Sequence, residues 1–190
     1  VFTPTKDKNL SEDHSGEEFI FIIDCSNSMN GNEIELAAEC LIFFIKSLPE
    51  NCFFNVVCFG SKYTPLFDKP VIYNDENSDK ALKLAKSLQA NFDETYLLEP
   101  LKYVFSKPLS VQNKLRRIFI LTDGFVFDPD KVIDLIAKNS KTTMCNSIGI
   151  GYIANKNLIK GIGNVGNGFD DFVLSGDDMR SKVINQLSYC

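Results

Sequence analysis

Two short, unbroken apolar runs constrain the fold of this chain more than any other feature of its sequence. Residues 19–23 read Phe-Ile-Phe-Ile-Ile, and residues 118–121 read Ile-Phe-Ile-Leu. A run that is apolar at every position is typical of a strand buried on both faces, as in a parallel sheet covered by helices. Each run therefore predicts an interior strand of such a sheet.

Segments with a helical spacing of apolar residues separate the predicted strands. Apolar residues recur every three or four positions within 34–48, where Asn32 is the predicted N-cap and Pro49 the stop. Asp128-Pro129 predicts another helix start, with proline at the first helical position. The further predicted strands are 53–59, 144–150, 169–174 and a proline-broken edge at 64–67 and 71–73; the further predicted helices are 78–88, 96–105, 155–162 and one after the Ser175/Asp178 capping pair.

This alternation predicts an α/β fold with a doubly wound, mostly parallel six-stranded sheet, one short edge strand and helices on both faces. Residues 1–17 are polar and charged and are predicted to be a linker, which leaves 18–190 as one domain. A hydrophobic content of 44% is ample for its core.

The sequence shows neither a membrane-spanning pattern nor a signal-peptide pattern. No apolar run approaches the roughly 20 residues of a membrane-spanning helix, and no signal-peptide pattern opens the sequence. Because the chain begins at Val1 rather than Met, we expect it to be an excised piece of a longer protein.

Charge and histidine content argue against two classes of function. A net charge of -5 disfavours nucleic-acid binding, which needs clustered basic residues. The one tight basic cluster, Lys114 with Arg116 and Arg117, precedes an apolar run and is predicted to be a solvated strand entrance. The single histidine, His14, and the lack of any CxxC spacing disfavour structural zinc and histidine base catalysis.

The six cysteines favour a reduced protein. Four of them, Cys40, Cys52, Cys58 and Cys145, lie inside apolar segments, where a free cysteine packs as a small hydrophobe. We therefore expect a cytoplasmic protein, although an even number of cysteines also permits disulfides.

Oxygen-bearing side chains follow both apolar runs. Asp24, Ser26 and Ser28 follow the first run, and Asp123 follows the second. Parallel strands end at the same edge of a sheet, so Asp24 and Asp123 are expected to face one crevice. Carboxylates and hydroxyls suit Mg²⁺ or Mn²⁺. The alternative is that the first group only caps the next helix.

The segment 19–29 resembles the start of a von Willebrand factor A domain, whose metal-ion-dependent adhesion site opens with Asp-x-Ser-x-Ser after a buried strand. Residues 121–124, Leu-Thr-Asp-Gly, resemble the later metal motif of that family, and Thr95 matches its middle threonine. The resemblance runs from about residue 17 to 187. Segments 47–49, 54–57 and 59–61 look most like the branch found in inter-α-trypsin-inhibitor heavy chains and their intracellular relatives.

The resemblance implies a non-catalytic protein-interaction domain of the adhesion type. The implied ligands of Mg²⁺ or Mn²⁺ are Asp24, Ser26, Ser28, Thr95 and Asp123, and an acidic side chain of a protein partner would complete the shell. The acidic net charge and the lack of a long apolar run predict neither nucleic-acid binding nor membrane insertion by this segment.

Two departures from the family pattern bear on that site. Asn27 stands where relatives usually carry Gly, and Asp93-Glu94 stand where they often carry Gly-Gly. The added carboxylates could strengthen cation binding, or occupy the open position and repel an acidic partner. Glu94, Phe125 and Phe127 are the predicted partner-binding residues, with the alternative that the two phenylalanines fold back over a helix.

Three other interpretations compete with this one. Residues 161–166 match GxGxxG, but they follow a predicted helix and precede a strand, unlike a dinucleotide fingerprint. Asp24, Thr122 and Asp177-Asp178 are similar to the layout of haloacid-dehalogenase-type phosphatases, in which a second Asp should stand where this chain has Ser26. A scaffold domain with no working metal site is the third alternative.

Overall fold

The computed structural model describes residues 14–188 of the chain. Residues 1–13 of the predicted linker, and Cys190, lie outside that range. The strands are β1 (Glu18–Asp24), β2 (Phe53–Phe59), β3 (Tyr63–Pro65), β4 (Val71–Ile72), β5 (Arg116–Thr122), β6 (Thr143–Ile150) and β7 (Asn167–Val173). The helices are α1 (Asn32–Ser47), α2 (Asp75–Lys86), α3 (Leu98–Ser106), α4 (Pro129–Asn139), α5 (Lys156–Val165) and α6 (Met179–Ser188).

One twisted sheet runs through the domain in the order β3-β2-β1-β5-β6-β7. The strands β2, β1, β5, β6 and β7 are mutually parallel, which confirms the predicted doubly wound α/β class. The edge differs in detail from the prediction. It consists of two short strands, β3 and β4, which both pair antiparallel with β2, so the described sheet has seven strands.

Helices cover both faces of the sheet, as predicted. Because side chains alternate along a strand, Phe21 of β1 faces one layer and Ile22 faces the other. Phe21 packs with Phe44 and Phe119 in the layer that contains α1, α2 and α6. Ile22 lies in the layer that contains α3, α4 and α5.

The helix starts differ from the predicted caps at three positions. Helix α1 begins at Asn32 itself, and Gly31, with φ of 96°, is its cap. Proline opens α4 as predicted, but Asp128 adopts a left-handed conformation and makes no capping bond. At α6, Asp178 rather than Ser175 accepts the Ser181 N–H, at 3.2 Å.

The prediction of a solvated basic cluster was wrong for its two arginines. Arg116 and Arg117 are only 3% and 4% exposed. Arg116 Nε lies 2.8 Å from Glu18, and Arg117 Nε lies 2.8 Å from Glu17. These glutamates stand about one hundred positions earlier in the chain, so the sequence pattern around the arginines did not reveal them.

The cysteines within 14–188 are all free and buried, in agreement with their predicted packing. Among the same residues, no helix combines the length and the apolar character that crossing a membrane requires.

Candidate metal centre

Two buried carboxylates lie at the carboxyl end of the central strand pair. Asp24 is the last residue of β1, and Asp123 directly follows β5. The two strands are neighbours in register, with Ile23 opposite Leu121, so both carboxylates emerge at the same edge of the sheet. Their residues are 0% and 1% exposed. The expected juxtaposition of Asp24 and Asp123 is therefore present.

Asp24 is held in place by donors on both of its oxygens. The Ser26 N–H donates to Oδ1 at 2.9 Å, and the Thr122 hydroxyl donates to Oδ2 at 2.5 Å. Burial raises the pKa of Asp24 to about 6, and the neighbouring Asp123 charge acts in the same direction, against the hydrogen bonds from Thr122 and Ser26, which lower it. The carboxylate is thus oriented by its neighbours but not neutralised by them.

The two serines of the first motif form one hydroxyl cluster beside Asp24. A short 3₁₀ turn over Asn27–Met29 brings the Ser26 and Ser28 hydroxyl oxygens to 3.1 Å. Met29 is fully buried and anchors the turn in the core, whereas Ser28 is exposed. The turn therefore holds the buried Ser26 hydroxyl next to the exposed Ser28 hydroxyl on a fixed base.

Thr95 lies in a neighbouring loop that backbone hydrogen bonds attach to the first motif. The Phe92 N–H donates to the Cys25 carbonyl at 3.0 Å, and the Tyr96 N–H donates to the Gly60 carbonyl at 3.0 Å. The Thr95 carbonyl in turn accepts the Phe127 N–H at 3.1 Å. Thr95 itself is 6% exposed. These bonds tie the three loops that carry the predicted ligands into one assembly.

Asp123 has one oxygen without a partner. Its Oδ1 accepts the Phe125 N–H at 3.2 Å, but its Oδ2 is buried and receives no hydrogen bond. Within residues 14–188, neither Asp123 nor Asp24 forms an ion pair with Lys, Arg or His. A buried, unpaired carboxylate oxygen is costly. The residues present therefore fit a divalent cation, which would satisfy both the orphan oxygen and the uncompensated charge.

The donor set is limited to two carboxylates and nearby hydroxyls. The part of the chain that the structure describes contains no group of three or more His, Cys, Asp or Glu side chains placed to hold a metal. A cation at this edge would consequently depend on serine and threonine oxygens and on ligands from outside, a pattern that suits a hard cation with open positions.

The two extra acidic residues before Thr95 make local contacts. Asp93 accepts a long hydrogen bond of 3.5 Å from the Asn27 amide. Glu94 accepts the hydroxyl of Tyr96. Both acidic residues are exposed, so each carboxylate is engaged at the surface by a neighbour on the loops.

The predicted partner-binding phenylalanines border this centre and are half exposed. Phe125 and Phe127 are each 53% exposed, and the Phe127 ring packs on Tyr96 at 4.9 Å between centroids. Two more exposed apolar residues lie at the same edge, Tyr152 and Ile153, which follow β6 and were not predicted from the sequence. They lie in a short loop whose apolar residues have no helical or strand spacing. Only their position just after the predicted strand could have indicated that they lie at this edge.

The sequence did not indicate the roles of two contributors to the geometry. Thr122 was named only as part of the Leu-Thr-Asp-Gly motif and of the phosphatase layout, yet it bridges Asp24 and the Gly124 N–H, 2.9 Å away. At Gly60, an added Cβ would lie 2.3 Å from the Cβ of Phe92 and 3.0 Å from the Glu94 carbonyl. A glycine directly after a buried strand was the available signal for such a close approach.

The residues behind the rival interpretations take other positions. The GxGxxG segment forms the second half of α5 and its end, where Gly163 packs against the backbone of Phe169. Asp178 accepts hydrogen bonds at the start of α6, and Asp177 lies 3.5 Å from Lys182.

Comparison with protein families matches residues 17–172 to the von Willebrand factor type A domain. A von Willebrand factor A domain-containing protein of Dictyostelium discoideum is 38% identical over 187 residues, covering 98% of this chain and 20% of the relative. Von Willebrand factor A domain-containing protein 5B1 of mouse is 37% identical over 170 residues, covering 90% and 14%. The chain thus spans about a fifth or less of these relatives.

Solved structures share the fold at low sequence identity. BatB of Bacteroides thetaiotaomicron superposes with a TM-score of 0.76 at 15% identity, covering 92% of this chain and 98% of that one. Proximal thread matrix protein 1 of the mussel byssus, with a zinc-occupied metal-ion-dependent adhesion site, gives 0.69 at 18%, covering 92% and 46%. Manganese-loaded TRAP protein of Plasmodium vivax gives 0.67 at 15%, covering 90% and 72%.

Proposed function

Because the chain belongs to the von Willebrand factor type A family, we propose that it is a divalent-cation-dependent protein-interaction domain without catalytic activity. Domains of this family generally mediate protein–protein contacts. In our proposal the cation is Mg²⁺ or Mn²⁺, and its ligands are Asp24, Ser26, Ser28, Thr95 and Asp123. The family resemblance of segments 47–49, 54–57 and 59–61 further suggests the inter-α-trypsin-inhibitor heavy-chain branch.

The observation that carries the proposal is the pair of buried carboxylates without a cationic partner. Asp24 and Asp123 are almost fully buried at one edge of the sheet, and Asp123 Oδ2 receives no hydrogen bond. Desolvating two negative charges side by side opposes folding unless a cation compensates them. The two metal-loaded structures of the same fold show that this fold can hold zinc and manganese in other proteins.

When bound, the cation supplies a local positive charge on an otherwise acidic surface. An acidic side chain of a protein partner can then dock where charge repulsion would otherwise oppose it. Phe125 and Phe127, half exposed beside the carboxylates, would add apolar contact area, and Glu94 would border the docking position. The buried free thiols of the described residues favour a reducing, cytoplasmic setting for this interaction.

The test is thermal unfolding of the chain in EDTA and at increasing Mg²⁺ or Mn²⁺, for the wild type and Asp24→Ala. A ligand at one hundred times its dissociation constant stabilises by about 2.7 kcal/mol. For a domain of this size that corresponds to a Tm rise of about 5–10 °C. We expect this rise in the wild type and its loss in Asp24→Ala.

Asp79→Ala is the matched control, since Asp79 is an exposed aspartate on α2 and should leave the cation effect unchanged. An equal rise in Asp24→Ala and the wild type would indicate binding elsewhere on the acidic surface. No rise at millimolar Mg²⁺ or Mn²⁺ would contradict the proposal and favour a scaffold domain. Release of phosphate that depends on Asp24 would instead support the phosphatase alternative.

A further inference from the structure

Two cysteines lie side by side beneath the first metal-binding motif. Cys25 follows Asp24 and donates its N–H to the Phe59 carbonyl at 2.7 Å. Cys58 lies on β2 opposite Ile23, so its side chain points to the same face of the sheet as that of Cys25. The two thiols are close enough for each to perturb the pKa of the other. Both residues are buried, at 3% and 7% exposure.

The pair also borders a cavity that opens to the surface. The cavity has a volume of about 310 Å³ and lies between β3 and the segment after α2. Leu66, Leu84 and Phe92 form its apolar wall, and the exposed Gln89 and Asn91 lie at its rim. Because both cysteines line this open cavity, it offers a route to them for a solute of the size of water or hydrogen peroxide, although they are largely buried from bulk solvent.

The other described cysteines lack this arrangement. Burial raises the pKa of Cys40, and it raises the pKa of Cys52 and of Cys145 to about 12; within the described residues, no thiol contributes to any of these three shifts. Cys25 and Cys58, by contrast, lie next to each other and both line the cavity. Cys58 is the more exposed of the two, at 7% against 3%, so it is the thiol that a solute in the cavity meets first. The pair thus differs from the structural cysteines in contact and in access.

We propose that Cys25 and Cys58 form a reversible disulfide on exposure to hydroperoxides. The Cys58 sulfur attacks a peroxide oxygen, the O–O bond breaks, and a sulfenic acid and water (or an alcohol) result. The Cys25 sulfur then attacks the Cys58 sulfur, the S–S bond forms, and the hydroxyl leaves as water with the Cys25 proton. The sum is two thiols and H₂O₂ giving one disulfide and two waters. The peroxide is reduced and the thiols are oxidised by two electrons.

Closing this disulfide moves the end of β1. Cys25 is displaced by two positions along the strand from the residue that faces Cys58. With about 4.8 Å between strands and about 3.3 Å per residue, such a diagonal pair has Cα atoms about 8 Å apart. A disulfide needs about 4.4–6.8 Å. The bond therefore draws Cys25 towards β2, and the adjoining Asp24 and Ser26 move with it. This consequence rests on the proposed cation site.

The first experiment maps disulfides in the chain after treatment with H₂O₂, by peptide mass spectrometry under non-reducing conditions. We expect a Cys25–Cys58 cross-linked peptide that dithiothreitol removes. The Cys58→Ala variant should lose it, and Cys145→Ala, the matched control at another buried cysteine, should retain it. Absence of the cross-link in the wild type, or cross-links that join other cysteines instead, would overturn the proposal without reference to any variant.

The second experiment compares the Mg²⁺ concentration needed for the Tm rise in reduced, oxidised and re-reduced protein. We expect oxidation to raise that concentration roughly tenfold or more, with recovery on reduction and no peroxide effect in Cys58→Ala. If fully cross-linked protein needs the same Mg²⁺ concentration for the Tm rise, the proposed effect of the disulfide on cation binding is wrong. If reduced protein shows no Mg²⁺ effect at all, the proposed cation function fails, whereas the disulfide is judged by the mapping alone.

Discussion

Buried charges are compensated at one end of the central strand pair, β1 and β5, but not at the other. At the amino end, Glu18 of β1 meets Arg116 of β5 at 2.8 Å, and both side chains are less than 5% exposed. At the carboxyl end of the same two strands, Asp24 and Asp123 are buried as deeply. Among the residues described, no Lys, Arg or His forms an ion pair with either of them.

The two ends also differ in how completely their buried polar atoms are hydrogen-bonded. The Arg116 guanidinium also donates to the backbone carbonyls of Val104, Lys107 and Pro108, at 2.7–3.1 Å. The amino end is therefore complete within the chain. At the carboxyl end, Asp123 Oδ2 has no donor. Since burial is equal, the contrast is that the amino end satisfies its charges within the chain, whereas at the carboxyl end we propose that a cation supplies the missing partner.

Removing the positive charge of Arg116 at the amino end should have the largest effect on stability. We expect Arg116→Met to lower the free energy of unfolding by about 3–5 kcal/mol, because Glu18 would remain buried without its partner. Urea denaturation measures the loss. Adding Glu18→Gln to this variant should recover part of it, and Arg180→Met, at an exposed arginine of α6, is the control. A loss below about 1 kcal/mol would show that the pair is solvated after all.

A smaller loss is expected where the Thr95 loop meets β2. An added Cβ at Gly60 would overlap Phe92 at 2.3 Å, so Gly60→Ala must push the loop outwards. We expect a cost of about 1–3 kcal/mol and a weakened Mg²⁺ effect on Tm. Gly161→Ala is the matched control, since its Cβ would meet only the flexible end of Ile133, at 3.1 Å. Unaltered Mg²⁺ dependence in Gly60→Ala would argue against Thr95 as a ligand.

The parts of this comparison that the sequence predicted are those with short-range signatures. The runs 19–23 and 118–121 lie within β1 and β5, because strands buried on both faces are apolar at every position. The meeting of Asp24 and Asp123 followed from a general rule, that parallel strands end at one edge of a sheet. Both inferences needed only local pattern and one topological principle.

The missed features depend on contacts between distant positions. Arg116 was expected in solvent because nothing near it in sequence reveals that Glu18 lies opposite on the neighbouring strand. Gly60 carries no side chain to signal its approach to Phe92. The seventh strand arose because β3 and β4 share one edge of β2, which two short proline-broken segments did not resolve. In each case the structure was determined by a contact between distant positions rather than by the local sequence.

Removing a negative charge at the carboxyl end should have the opposite effect and raise the free energy of unfolding when no cation is present. In EDTA, we expect Asp24→Asn to raise the free energy of unfolding by about 1–2 kcal/mol, because the amide keeps the shape and removes one of two uncompensated charges. In millimolar Mg²⁺ the order should reverse, since only the wild type gains from the cation. Urea denaturation in both buffers measures this, with the exposed Asp79→Asn as control. If Asp24→Asn instead lowers the free energy of unfolding in EDTA, Asp24 contributes to stability chiefly through its hydrogen bonds with Thr122 and Ser26.

The smallest effect is expected at Glu17, on the rim of the amino end. Burial alone would raise the pKa of Glu17, but hydrogen bonds from Arg117 and His14 lower it below its usual 4.5. The folded chain therefore binds fewer protons there than the unfolded chain does, so this contribution to stability is complete above about pH 4.5 and is lost as the pH falls through the lowered pKa. Glu17→Gln should make the acid-side decline of the urea midpoint shallower than in the wild type, whereas Glu50→Gln, at an exposed glutamate, should leave it unchanged. Parallel declines for Glu17→Gln and the wild type would show that the amino end draws its stability from Glu18 and Arg116 alone.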